Sequence, residues 1–89
     1  MGYDYTKERH NVFTDQGQRM FLKIRDESTR LIAQGGACTS GALMRAVQSG
    51  DTWTMLACID RLVELGELRE ITGESVMGQH RVFIGGSPR

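Results

Sequence analysis

Proline occurs once in the 89 residues, cysteine twice, and neither charge sign is in excess, with 11 basic and 11 acidic side chains. The one proline is Pro88, so no helix in the body of the chain is broken by that residue. Cys38 and Cys58 are too few for a disulfide framework or a metal set. They read as reduced, buried thiols of a cytoplasmic protein, with a redox pair or an intermolecular bridge as the other use. A net charge of zero removes the simplest signature of a nucleic-acid binder, a basic surface, without forbidding local patches. No apolar run is long enough to span a bilayer. The opening MGYDYTKERHNVF lacks the apolar stretch of a signal peptide. His10 and His80 stand far apart, with no Cys/His/carboxylate spacing for zinc. No Ser/His/Asp or Cys/His arrangement can be argued, and Gly35-Gly36 and Gly85-Gly86 are not phosphate loops. The sequence therefore predicts one small domain without metal, cofactor, catalysis or membrane span.

What is present is periodicity with clear punctuation. Residues 1–13 mix charges and aromatics without a period and read as an arm. Tyr3, Tyr5 and Phe13 in it are available to pack on the body or on a second subunit. A first helix is expected over Asp15 to Gln34, capped by Thr14 or Asp15, with Asp15 and Gln18 at capping-box spacing. Met20, Phe21, Ile24, Ser28, Leu31 and Ile32 fall on one face, and Gly35-Gly36 stops the helix. Leu22 and Ala33 lie off that stripe, either as scattered surface residues or as part of a subunit contact.

A short extended link, Ala37-Cys38-Thr39, leads to a second helix over Gly41 to Gln48, capped by Thr39 or Ser40. Leu43, Ala46 and Val47 are expected inward, Arg45 and Gln48 outward. Ser49-Gly50-Asp51 reads as a tight turn whose Asp51 caps the next helix. That third helix is expected over Thr52 to Leu65. Met55, Leu56, Cys58, Ile59, Leu62, Val63 and Leu65 form a broad apolar stripe. Trp53, Thr54, Ala57, Asp60, Arg61 and Glu64 occupy the other face. Gly66 ends the helix, Leu68 to Thr72 and Gln79 to Ile84 read as strands, and Gly73 to Gly78 as the turn between them. Residues 85–89 read as a loose tail.

The segments TSGALMRAVQ, SGD and WTMLACIDRLVELGELREI, with the closing HRVFI, resemble a winged helix-turn-helix domain of small bacterial or phage-type transcription regulators. The resemblance covers residues 14–84. It implies an α+β, mainly α fold, three helices followed by a two-stranded β-hairpin wing. It also implies a non-enzymatic regulator that binds double-stranded DNA as a homodimer. In that family the third helix reads the major groove, which assigns Thr52, Trp53, Thr54, Ala57 and Arg61 to DNA, beside Asp60. The second helix would bring Ser40, Arg45 and Gln48 near phosphates. The wing would bring Gln79, His80 and Arg81, with its tip near Ser75.

Charge argues the other way. From Asp51 to Glu70 five acids (Asp51, Asp60, Glu64, Glu67, Glu70) face two bases (Arg61, Arg69), a net of −3, whereas DNA affinity comes mainly from Lys and Arg at phosphates. Asp51 is spoken for as a cap, and Asp60 and Arg61 have possible partners on the first helix. Trp53 either folds back over the second helix or stands as an exposed anchor, a role in which tryptophan is enriched. The competing expectation is a winged-helix protein-interaction module whose third helix docks a protein partner.

Overall fold

The computed structural model describes residues 2–48, 50–73 and 80–86. The chain is α+β and mainly helical. In order it forms α1 (Tyr5–Glu8), a 3-10 helix (Arg9–Phe13), α2 (Asp15–Gly35), β1 (Cys38–Thr39), α3 (Ser40–Val47), α4 (Thr52–Glu64), β2 (Leu68–Glu70) and β3 (Val82–Gly85). The strands make one antiparallel sheet in the order β1-β3-β2.

Side-chain chemistry explains the helix ends. The Thr14 hydroxyl accepts from the Gly17 N–H at 2.9 Å and starts α2. The expected capping box does not form, because the Gln18 amide instead donates to the Val12 carbonyl at 2.6 Å. Gly36, at φ +82°, closes α2 by donating its N–H to Ile32, in the left-handed conformation that glycine adopts without steric cost. Thr39 caps α3 through the Ala42 N–H. Asp51 caps α4 through the N–H and hydroxyl of Thr54 at 3.1 and 3.2 Å. At the far end of α4, Glu67 N–H reaches the Leu62 carbonyl and Gly66 N–H reaches that of Val63. That pair of bonds, with Gly66 at φ +80°, is a Schellman motif.

Three readings change. The extended link is a true strand: Cys38 pairs with Phe83 and Thr39 with Val82, so the sheet has three strands rather than the two of a simple hairpin. β2 stops at Glu70 and β3 runs from Val82 to Gly85, with Gly86 N–H bonded to the Glu67 carbonyl. The sheet thus claims the start of the expected tail. Residues 2–13 are largely helical, and Val12 is fully buried in the core. Gln79, Ser75 and the turn that bears it lie outside the described residues.

The core joins Met20, Phe21 and Ile24 of α2, Leu43 of α3, Met55 to Ile59 and Leu62 of α4, and Cys38, Leu68 and Phe83 of the sheet. Ala46, expected inward, is exposed. Leu31 and Ile32 are only partly buried at the end of their stripe.

One close approach fixes how the N-terminal segment meets α2. A Cβ on Gly17 would collide with the Asn11 carbonyl, a backbone group that cannot swing aside. The Gly17 carbonyl in turn faces the buried Cys58 thiol, 3.7 Å away. Gly17→Ala is expected to destabilise the fold by about 2–3 kcal/mol through overpacking, read as a lower urea midpoint. Gly35→Ala, in open space, is expected to leave it unchanged or slightly raised.

Candidate functional site

α4 is buried on every side through its middle. Met55, Leu56, Ala57, Cys58 and Ile59 are consecutive and none is more than 6% exposed. At about 100° per residue such a run passes all the way round the axis. The expectation of an open polar face is therefore corrected at Ala57, which is 0% exposed. Its face carries Trp53, Ala57, Asp60 and Glu64 at helical spacing, and the N-terminal segment lies across it. The Tyr3 hydroxyl donates to Asp60 at 2.6 Å and the Tyr5 hydroxyl to Glu64 at 2.8 Å. Arg9 Nε reaches both Glu64 oxygens at 3.2 Å. Trp53 shares a surface hollow with Tyr3, Asp4, Tyr5 and Lys7, so it neighbours this segment.

Two charge clusters flank that face. In the first, Arg81 sits between two carboxylates. Nη2 and Nη1 contact Asp60 at 2.6 and 3.2 Å, and Nη2 and Nε contact Glu70 at 2.8 and 3.0 Å. Its side chain is only 12% exposed. Burial works against its charge, but the hydrogen bonds to Glu70 and Asp60 outweigh it and hold the guanidinium ionised beyond its usual range. Thr72 adds a hydroxyl to Glu70 at 2.6 Å. Hydrogen bonding from Arg81 holds the Glu70 carboxyl below its ordinary range. In the second cluster, Arg61 Nη1 contacts Glu64 at 2.8 Å, and Arg61 and Arg9 both lie over the Phe13 ring, 5.2 and 5.0 Å from its centroid. Arg61, Tyr5 and Arg9 together depress the Glu64 carboxyl. Burial and its bond to Asp60 raise the Tyr3 phenol far above its ordinary value, and burial with the Glu64 bond pushes Tyr5 up to about 12. The acids of α4 thus pair with Arg81 just before β3, with α4 itself and with the N-terminal segment, not with the first predicted helix.

The predicted DNA-facing residues divide into three groups. Arg45, Gln48, Thr52 and Trp53, along the end of α3 and the start of α4, are exposed, and Thr54 is half-buried. Ser40 and Ala57 are fully buried; Ser40 donates its N–H to the Arg81 carbonyl at 2.9 Å, joining α3 to the start of β3. Arg61 and Arg81 are engaged in the charge clusters, and His80 is exposed. For Ser40, Ala57 and Arg81 an outward role is replaced by burial. Sequence reasoning missed Arg19, which lines a hollow with Asp51 and Thr54, and Lys7, which borders Trp53. It also missed Tyr3, Tyr5 and Arg9 as partners of α4. The available signal was complementarity between an aperiodic segment bearing tyrosines and cations and a helix face bearing unmatched acids.

The free cysteines Cys38 and Cys58 are buried, and burial pushes the Cys58 thiol up to about 12. No described helix is long and apolar enough to cross a membrane. Comparison with protein-family models, curated proteins and solved structures finds no match to the chain.

Removing Arg81 leaves two carboxylates facing each other in a largely enclosed site. Arg81→Ala is expected to cost about 3 kcal/mol or more, against little or no loss for Arg9→Ala at the surface, both measured by chemical denaturation. Glu70 has a folded-state pKa below its unfolded one, so its contribution is present at neutral pH. That contribution is lost as pH falls from the ordinary glutamate range through the depressed value. Stability measured against pH should drop on the acid side, and Glu70→Gln should flatten that drop.

Proposed function

We propose that the chain is a winged helix-turn-helix DNA-binding regulator that meets double-stranded DNA through the α3–α4 turn and the first turn of α4. The observation that carries this reading is the order α2-β1-α3-α4-β2-β3 with the sheet order β1-β3-β2. A short strand before the helix pair returns to flank the final strand, which is how a wing is anchored to a helix-turn-helix. The surface chemistry supports it locally. Thr52 and Trp53 stand exposed at the start of α4, Arg45 on α3 and Gln48 at its C-cap are exposed too, and Arg19 borders the start of α4. Hydroxyls and cations of this kind serve phosphate contact and base-edge reading.

The acidity that argued against DNA is largely absorbed. Asp60, Glu64 and Glu70 each hold an arginine, so the helix presents far less field than its formal charge implies. The remaining cations are few, which is why the proposal includes a homodimer: two copies double the phosphate contacts and define half-site spacing. A cytoplasmic setting accords with the two unbridged cysteines.

A protein-interaction module is the second reading. Trp53 supports it, since 39% of its surface remains open at the helix start and tryptophan is a frequent interface anchor. A salt titration separates the two. Binding to DNA from the chain's own promoter region should weaken linearly in log salt, and Arg45→Ala should reduce that slope by about one. Binding no stronger than to unrelated DNA at low salt would count against the regulator. Capture of a protein partner abolished by Trp53→Ala in a still-folded chain would favour the module.

A further inference from the structure

We propose that residues 2–9 form an autoinhibitory strap over the polar face of α4, and that opening the strap extends the DNA-reading surface beyond the first helical turn. The inference rests on the DNA-binding reading above and concerns how that site is regulated.

The face beneath the strap carries Trp53, Asp60 and Glu64 in register with the core residue Ala57, and Asp60 at its edge is also bonded to Arg81 beside the sheet. DNA cannot reach Asp60 or Glu64 while Tyr3, Tyr5 and Arg9 are bonded to them. The strap itself is weakly built. α1 has four residues and none is buried, far short of the length at which a helix holds its own shape. Besides the packing of the half-buried Tyr3 and Tyr5 rings against the core, its attachments to α4 are the Tyr3–Asp60, Tyr5–Glu64 and Arg9–Glu64 contacts. The last two are exposed, where such contacts are individually weak. The joint is firm just beyond it, because Val12 is fully buried and its carbonyl is held by Gln18. Residues 2–9 can therefore leave with only Arg9, the first residue of the 3-10 helix, drawn out of it.

Opening also leaves no bare charge. Asp60 keeps Arg81 at 2.6 Å, and Glu64 keeps Arg61 at 2.8 Å. The strap's bonds to those carboxylates are thus additional to the pairs that neutralise them. What the strap supplies is cover.

A strap closed for about nine-tenths of the time lowers apparent affinity about tenfold, because only the open fraction binds fully. The test uses Tyr3→Ser/Tyr5→Ser in the full chain, a charge-neutral change. Trp53 is the only tryptophan and borders the strap, so its emission reports release. The expected result is a red-shifted Trp53 emission together with DNA affinity about tenfold tighter at unchanged salt slope. Tyr3→Phe/Tyr5→Phe keeps the rings and removes only the hydroxyl anchors. It should give a smaller gain of a few-fold and serves if the serine variant unfolds. An unshifted emission in both variants overturns the strap. Released emission with equal or weaker DNA binding overturns the inhibition alone. If neither the wild type nor the released variants bind DNA above the non-specific level, the DNA reading fails and the inhibition fails with it.

Discussion

Arg81 places a guanidinium between α4 and the sheet, where charge is tolerated only with close partners. Its two carboxylates come from different elements, Asp60 from α4 and Glu70 from β2. Both must be in reach at once, and that couples two otherwise separate choices. The register of β2 on β3, with Glu70 opposite Phe83, fixes where Arg81 begins relative to Glu70. The rotation of α4 about its axis then has to bring Asp60 to the same spot. Turning α4 by one residue would carry Asp60 about 100° away and leave the guanidinium half-paired. Such a cluster penalises arrangements that leave it half-paired. Here it sets which face of α4 points to the sheet, which to α2, and which is left for the N-terminal segment.

That constraint explains what the sequence made legible and what it did not. Local signals carried through. Asp51, Thr39 and Gly66 act where their types and spacing placed them, because caps depend on neighbours three or four residues away. The stripe through Met20, Phe21 and Ile24 and the one through Met55, Ile59 and Leu62 are core because period reports burial whenever one face is buried. Pairings between distant segments were invisible. Cys38–Thr39 has no strand signature of its own and becomes a strand only because β3 is beside it. Tyr3 meets a carboxylate 57 positions away, and no spacing rule reaches that far. Ala57 was misplaced for a related reason. A helical wheel divides positions into inside and outside, whereas the N-terminal segment adds a second inside.

The same long-range pairing changes the meaning of the charge count. A segment total of −3 treats every carboxylate as facing solvent. In the folded chain Asp60 and Glu70 share Arg81, which lies outside that segment, and Glu64 shares Arg61 and Arg9. The acids are structural fasteners for the ends of the chain, one set for β3 and one for the N-terminal segment. Field at the surface therefore depends on groups without such partners. Around the start of α4 those include Arg19, Lys7 and Arg45 as well as Asp51, whose carboxylate is turned to the helix amide.

A helix enclosed through its middle has only its ends to offer a partner unless part of the enclosure moves. The core side of α4 cannot move without unfolding, since Leu56, Cys58, Ile59 and Leu62 are embedded there. The sheet side is tied by Arg81. The remaining side is covered by residues of which none in α1 is fully buried, and which attach by the half-buried Tyr3 and Tyr5 rings, their hydroxyls and one surface arginine. Local stability follows the density of buried contacts, so this is the side that opens first. A polar stripe on a helix is commonly equated with solvent exposure. In this chain it marks a contact made of polar bonds, weaker than the core and separable from it, and the accessible part of α4 is set by whether that contact is made.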